Sequence, residues 1–239
     1  MRTNKILALL FIASLLFSQA YAFVPQPTPN IVGSTGLIRM PSADVIPYKN
    51  MNFGIDTGNN NITNNFSLFY KMSLGTFQGL ELGFVGMDDT KGYMQEGVFI
   101  NMKYSLSSDT SPYPLLFAIG VENLSSFNRS DVYMVATRYL SNGSRFHFGF
   151  LGDFPGNRFR PLGALGYDCP FFSERTFFLI DMFAGEYVYQ LDLGFRWYLS
   201  DNFTVNLSGV NVLANPDTPA DNYKDQKMVL IGFSWINPL

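Results

Sequence analysis

Ile62-Thr63-Asn64-Asn65-Phe66-Ser67-Leu68-Phe69-Tyr70-Lys71-Met72 separates into two faces when the chain is extended. Ile62, Asn64, Phe66, Leu68, Tyr70 and Met72 fall on one side. Thr63, Asn65, Ser67 and Lys71 fall on the other, with Phe69 the exception. Successive side chains of a strand point to opposite faces, so this segment needs apolar surroundings on one side and tolerates water on the other.

The pattern recurs. Leu80, Leu82 and Phe84 oppose Gly79, Glu81 and Gly83. Val98, Ile100, Met102 and Tyr104 oppose Gly97, Asn101 and Lys103. Tyr187, Tyr189, Leu191, Leu193, Phe195 and Trp197 oppose Gln190, Asp192, Gly194 and Arg196, and Val229, Ile231, Phe233 and Trp235 share a face. Turn-forming residues punctuate the chain into candidate strands at 51–57, 62–73, 77–86, 94–106, 113–124, 131–141, 145–152, 161–168, 176–184, 187–199, 203–212 and 227–236. That is about twelve strands, with ten or fourteen as alternatives.

An apolar/polar alternation also fits a soluble barrel or sandwich, with the apolar face turned inward. The polar face discriminates. It carries Gly, Ser, Thr and Asn with about one charge per strand, whereas a solvated exterior is rich in Lys and Glu. Of all 239 residues, 47% are hydrophobic, 16% aromatic and only 15% charged, and a soluble domain normally holds about a quarter charged residues. Tyr187, Trp197, Phe203 and Trp235 lie toward strand ends, as in interfacial aromatic belts. In lipid, an open sheet edge would leave backbone groups without partners, so the sheet must close. The expectation is an all-β chain: a transmembrane antiparallel β-barrel of about 12 strands (10–14), its fatty face toward lipid.

Connection lengths give a second line. Leu74–Thr76, Ser141–Ser144 and Ser200–Asn202 read as short periplasmic turns; Met87–Tyr93, Gly152–Arg160 and Leu213–Gln226 read as longer outer loops. Cys169–Arg175 is long for a periplasmic turn, and Gly185-Glu186 is short for an outer loop.

Ahead of the strands, Arg2 and Lys5 precede an apolar run from Ile6 to Phe17, and Ala20-Tyr21-Ala22 is a small-x-small site. This predicts a signal peptide over 1–22, cleaved near Ala22, then an extended segment over 23–50 and a barrel over 51–239. The expected location is the outer membrane of a Gram-negative-type bacterium, with membrane lipid as the surrounding partner. The formal net charge of −3 gives no bulk basicity to suggest nucleic acid.

Chemistry is sparse. Cys169 is the sole cysteine, so no intrachain disulfide forms, and its expected state is a buried or lipid-facing thiol. His147 lies between Phe146 and Phe148, which face the other way, with no nucleophile motif or orienting acid beside it in sequence. The expected catalytic, metal and cofactor sets are empty. The Asn-x-Ser/Thr triplets, such as Asn61-Ile62-Thr63, reflect composition. Lys71, Glu81, Lys103, Glu122, Asp181, Asp192 and Arg196 lie on polar faces and are expected in the lumen. There they would line a pore or bind a sugar or anion, or else pair across neighbouring strands and fill a narrow barrel. Asp192 and Arg196 lie four apart on one strand, about 13 Å by strand rise, so each needs a partner elsewhere.

The most motif-like stretch is Gly33, Gly36, Leu37, Ile38, Pro41, Ser42 and Ala43. It resembles the opening of YjbH-like outer-membrane proteins, a family linked to exopolysaccharide and capsule production. Phe195–Phe203 also resembles that family's closing strand, turn and strand. The resemblance implies a non-enzymatic barrel in polysaccharide export or envelope assembly, with polysaccharide or export-machinery proteins as partners. A passive pore for small solutes is the alternative, and a lipid-modifying enzyme using His147 comes third. Gly33 and Gly36 permit close backbone approach. The segment is expected either to tuck against the barrel wall or into its mouth, or to form an ordinary first strand.

Overall fold

Twelve antiparallel strands close on themselves in a computed structural model of the chain. The structure describes residues 23, 25–60, 65–89, 97–107, 111–125, 130–154, 159–186, 189–214 and 227–238. The predicted signal peptide, most of the predicted outer loops, Asn61–Asn64 and Tyr187 lie outside them.

The strands are β1 (Asn50–Asn60), β2 (Asn65–Phe77), β3 (Leu80–Asp89), β4 (Gly97–Ser105), β5 (Leu115–Glu122) and β6 (Asp131–Tyr139). There follow β7 (Arg145–Asp153), β8 (Arg160–Phe171), β9 (Ser173–Ala184), β10 (Tyr189–Tyr198), β11 (Phe203–Ala214) and β12 (Met228–Pro238). Each strand pairs with its sequence neighbour, and β1 closes the ring on β12, from Asn50 opposite Pro238 to Asn60 opposite Met228. Every predicted strand is present. This is the transmembrane β-barrel expected from the alternation.

The faces point as the charge-poor polar side requires. Tyr70, Ile100, Phe148, Ile231 and Phe233 stand exposed on the exterior. Lys71, Asn101, His147, Asp192 and Ser234 point inward and are buried. An exterior dominated by apolar side chains, with Arg138 and Asn59 among its few exposed polar residues, is a surface for lipid. Phe53, Phe77, Tyr104, Phe172 and Trp235 ring the end that carries Asn50 and Pro238, here called the terminal end.

Two predicted connections move. Leu74-Gly75-Thr76 belongs to β2, and the turn is Gln78-Gly79, where Gly79 adopts φ 80°. Gly75 reads as a turn residue in sequence. In the fold it admits the Pro47 carbonyl into a space that a Cβ would fill. At the other site, β8 runs through Phe171 and β9 starts at Ser173. A single exposed residue, Phe172 at φ 61°, joins them. The connection that looked too long for the terminal end is therefore the tightest turn there.

Candidate functional site: the segment inside the barrel

The interior is filled by the chain's own residues. Every residue from Thr28 to Asp44 is buried. The segment lies inside the lumen and is no strand of the wall. It enters at the terminal end, where the Tyr198 hydroxyl donates to the Gln26 carbonyl (3.0 Å) and Asn52 Nδ2 to the Pro27 carbonyl (3.0 Å). It rises to Arg39, level with Gln190 and Asp192 on β10, and returns to the terminal end before β1.

Its path is irregular. Two isolated bridges, Pro29 with Thr35 and Gly36 with Pro41, fold it into successive loops. Asn30 ties these loops together. Its Oδ1 accepts from the Val32 and Ser34 N–H groups (3.0 and 3.1 Å), and its Nδ2 donates to the Arg39 carbonyl (2.6 Å). Gly33 turns the chain at φ 91°, against Gly83 of β3. A Cβ on Gly83 would stand 2.5 Å from the Gly33 carbonyl oxygen. The family-like motif is therefore a packing motif, its two glycines sitting where backbone meets backbone.

Backbone without helix or sheet partners must find other ones when buried. The wall supplies them. Asp181 Oδ2 accepts from three successive N–H groups, Ile38 (3.0 Å), Arg39 (2.7 Å) and Met40 (2.8 Å). Glu81 accepts from the Thr35 N–H (2.8 Å), the Thr35 hydroxyl (2.7 Å) and the Ile46 N–H (2.9 Å). Wall cations take the carbonyls. Lys103 donates to Thr35 O (2.9 Å) and Ser42 O (3.2 Å), and Arg196 to Gly36 O (3.1 Å) and Leu37 O (2.9 Å). Lys71 reaches Pro29 O at 3.2 Å. Asn101 Nδ2 donates to Val32 O, and Ser73 Oγ to Gly33 O.

These contacts revise the expected pairing. Lys71 does pair with a neighbouring strand, at 2.5 Å from Asp56, and Lys103 sits 3.5 Å from Glu81. Asp192, however, pairs with Arg39 of the lumenal segment, and Arg196 with segment carbonyls and Asn206. Apart from Asn206 on neighbouring β11, these partners come from 28–44, which no strand-by-strand reading supplies. Glu122 is also buried and stands opposite Asp131 in the β5–β6 register.

Apolar packing completes the seal. Ile31, Val32, Leu37 and Ile38 pack with inward-facing Phe69, Val85, Phe99, Phe177 and Leu179. Met40 and Ala43 pack with Ala118, Tyr133, Leu151 and Phe183. Phe69, the exception in the opening stretch, thus has a partner. Inward apolar residues on otherwise polar faces were the signal for an occupied lumen. An interior cavity beside Lys71, Asp56 and Arg196 measures about 10 Å³, close to the space one water requires.

His147 gains neighbours that the sequence did not show. Its Nδ1 lies 2.9 Å from Thr137 Oγ1, and its Nε2 lies 3.9 Å from Asp168 Oδ1. Hydroxyl, imidazole and carboxylate converge from β6, β7 and β8. The Thr137 hydroxyl already accepts from the Ala43 N–H at 2.8 Å, and all three side chains are buried beneath the segment. Asp168 also pairs with Arg145, which reaches Asp44 at 3.1 Å, and Tyr139 donates to Asp44 at 2.6 Å. The cluster anchors the returning limb of the segment. Cys169 is buried as a free thiol.

Charge inside is unequal. Among the described residues, the wall buries Lys71, Lys103, Arg145 and Arg196. Against these four stand seven carboxylates: Asp56, Glu81, Asp168, Asp181 and Asp192, with Glu122 and Asp131. The segment adds one charge of each sign, Arg39 and Asp44.

Fold and lumen together define a transmembrane β-barrel occupied by its own N-terminal segment. Among solved structures it is similar to KdgM porin, with a TM-score of 0.55 at 10% identity over 78% of this chain and 98% of that one. A second structure, KdgM porin in complex with disordered oligogalacturonate, gives 0.52 at 10% identity over the same shares. No protein-family model and no curated protein matches the chain.

Proposed function

We propose that the chain is an outer-membrane channel-type barrel whose passage for small solutes is closed by its own residues 28–44. The observation that carries this is the unbroken burial of Thr28 to Asp44 inside a closed twelve-stranded wall. The likeness in fold to a porin supports a channel-type reading of the wall. The segment's occupancy separates the resting protein from a constitutively open pore. Both limbs of the segment meet the terminal end, so withdrawal toward that end would clear the lumen without threading.

The wall's excess of carboxylates makes an acidic oligosaccharide a poor solute here, since like charges repel in a low-dielectric cleft. The oligogalacturonate of the KdgM complex is therefore not proposed for this chain. A part in exopolysaccharide or capsule export has the Gly33–Ala43 resemblance as its support.

Planar-bilayer recording tests the proposal. The full chain should be silent, and a variant in which residues 34–41 are replaced by glycine and serine should show stepwise conductance. Steady conductance from the full chain would show an open pore. Silence from both proteins, with the variant's folding verified by its gel mobility shift on heating, would leave a purely structural barrel.

A further inference from the structure

Arg39 is held as a bound ligand is held. Its Nε lies 2.5 Å from Asp192 Oδ2 and its Nη2 3.1 Å from Asp192 Oδ1, the paired geometry of a fork on a carboxylate. Its Nη1 donates to Gln190 Oε1 at 3.1 Å, and the guanidinium carbon stands 4.8 Å from the centre of the Phe183 ring. Carboxylate, amide oxygen and aromatic face together complement a planar cation. Asp192 is fixed independently of Arg39, because it also accepts from the Asn211 N–H at 2.6 Å. The receptor is thus built from β9, β10 and β11, while its occupant comes from the lumenal segment.

The surroundings favour cations as well. Without the segment, Lys71, Lys103 and Arg145 keep Asp56, Glu81 and Asp168 as partners on neighbouring strands. Asp192 would lose its guanidinium. Asp181, opposite Asp192 in the β9–β10 register, would lose three N–H donors. Arg196 would lose the Gly36 and Leu37 carbonyls and keep Asn206. The bared groups are thus two carboxylates against one guanidinium, on a wall that buries more carboxylates than cations. Clefts lined by one sign of charge concentrate the opposite ion, and carboxylate-lined constrictions select cations.

We infer that Gln190, Asp192 and Phe183 form a binding site for guanidinium-type cations, which Arg39 fills as a tethered occupant, on a wall that passes cationic solutes when the segment withdraws. The transport half rests on the proposed withdrawal; the binding half does not.

Methylguanidinium is the probe for the site. Full-length Arg39→Ala protein is folded in detergent and its heat-induced mobility shift is followed. Millimolar methylguanidinium should raise the midpoint toward that of the native protein, and methylammonium should raise it less. Adding Asp192→Asn should abolish the rescue. Arg39→Gln serves the same purpose if Arg39→Ala does not fold. Absence of rescue, or equal rescue by methylammonium, overturns the site.

For transport, the reversal potential of the 34–41 variant is measured across a potassium chloride gradient. A cation-favouring sign is expected, and an anion-favouring or null potential overturns the cationic pathway. If that variant is silent, the proposed withdrawal fails, while methylguanidinium rescue still decides the site.

Discussion

Arg39 and Asp192 lie 153 residues apart in sequence and form a buried two-point ion pair inside the barrel. The pair joins the highest point of the lumenal segment to the wall. Removing one partner of a buried pair leaves an uncompensated charge, typically at a cost of about 3–5 kcal/mol. Arg39→Ala should therefore lower stability by roughly that amount in urea unfolding from detergent micelles. Arg39→Lys, which keeps the charge but loses the fork, should fall between it and the native protein. Equal stability of all three proteins would contradict the pair's role.

Asp181 holds three consecutive N–H groups of the segment. Asp181→Ala strands buried donors, each costing about 1–3 kcal/mol when unsatisfied. Asp181→Asn retains one carbonyl oxygen and should cost less. Amide hydrogen exchange of residues 38–40 is the direct readout: faster exchange in Asp181→Ala is expected, and unchanged protection would count against this anchor.

Glycines on the wall should differ by what they face. A Cβ on Gly83 would come 2.5 Å from the Gly33 carbonyl oxygen, whereas one on Gly163 would meet only the Ala184 oxygen at 3.7 Å. Overpacking costs about 1–3 kcal/mol. Gly83→Ala should lower the unfolding midpoint, and Gly163→Ala should leave it nearly unchanged. The opposite order would sink the placement of the segment against β3.

Phe233 stands on the exterior near the middle of β12. If that exterior faces hydrocarbon, Phe233→Arg should destabilise the folded barrel in bilayers by about 2–4 kcal/mol. The measurement is reversible folding into short-chain lipid vesicles. Tolerance of the substitution would imply that the face meets water.

Ser34 and Ser42 are buried inside the lumen. Ser34→Cys and Ser42→Cys should resist a bulky maleimide in intact cells and react after the barrel is denatured. The native Cys169, itself buried, supplies the background control. Rapid labelling of both engineered thiols would place the segment outside.

Much of this architecture is local information. The alternation around Phe66–Met72 decides strand, face and, through the scarcity of charge on the polar side, which face meets lipid. Period-two patterning acts between residues two apart, so one dimension suffices to read it. Glycine misled where its role was non-local: Gly75 looks like a turn in sequence, but it makes room for Pro47.

The lumenal assignment of Lys71, Glu81, Lys103, Asp181, Asp192 and Arg196 was legible from alternation, as was pairing across neighbouring strands, which Lys71 with Asp56 and Lys103 with Glu81 show, but their partners on the lumenal segment were not. Those partners sit on a segment with no periodicity, because an irregular backbone is held by bonds to others and not to itself. Phe69, Val85 and Phe99, apolar residues facing inward, were the visible trace of that segment. The sequence alone therefore determined a closed lipid-facing wall with a charged interior. Only the tertiary structure decided that residues 28–44 fill it, since wall carboxylates and cations converge from distant strands to satisfy the N–H and C=O groups that segment cannot pair by itself.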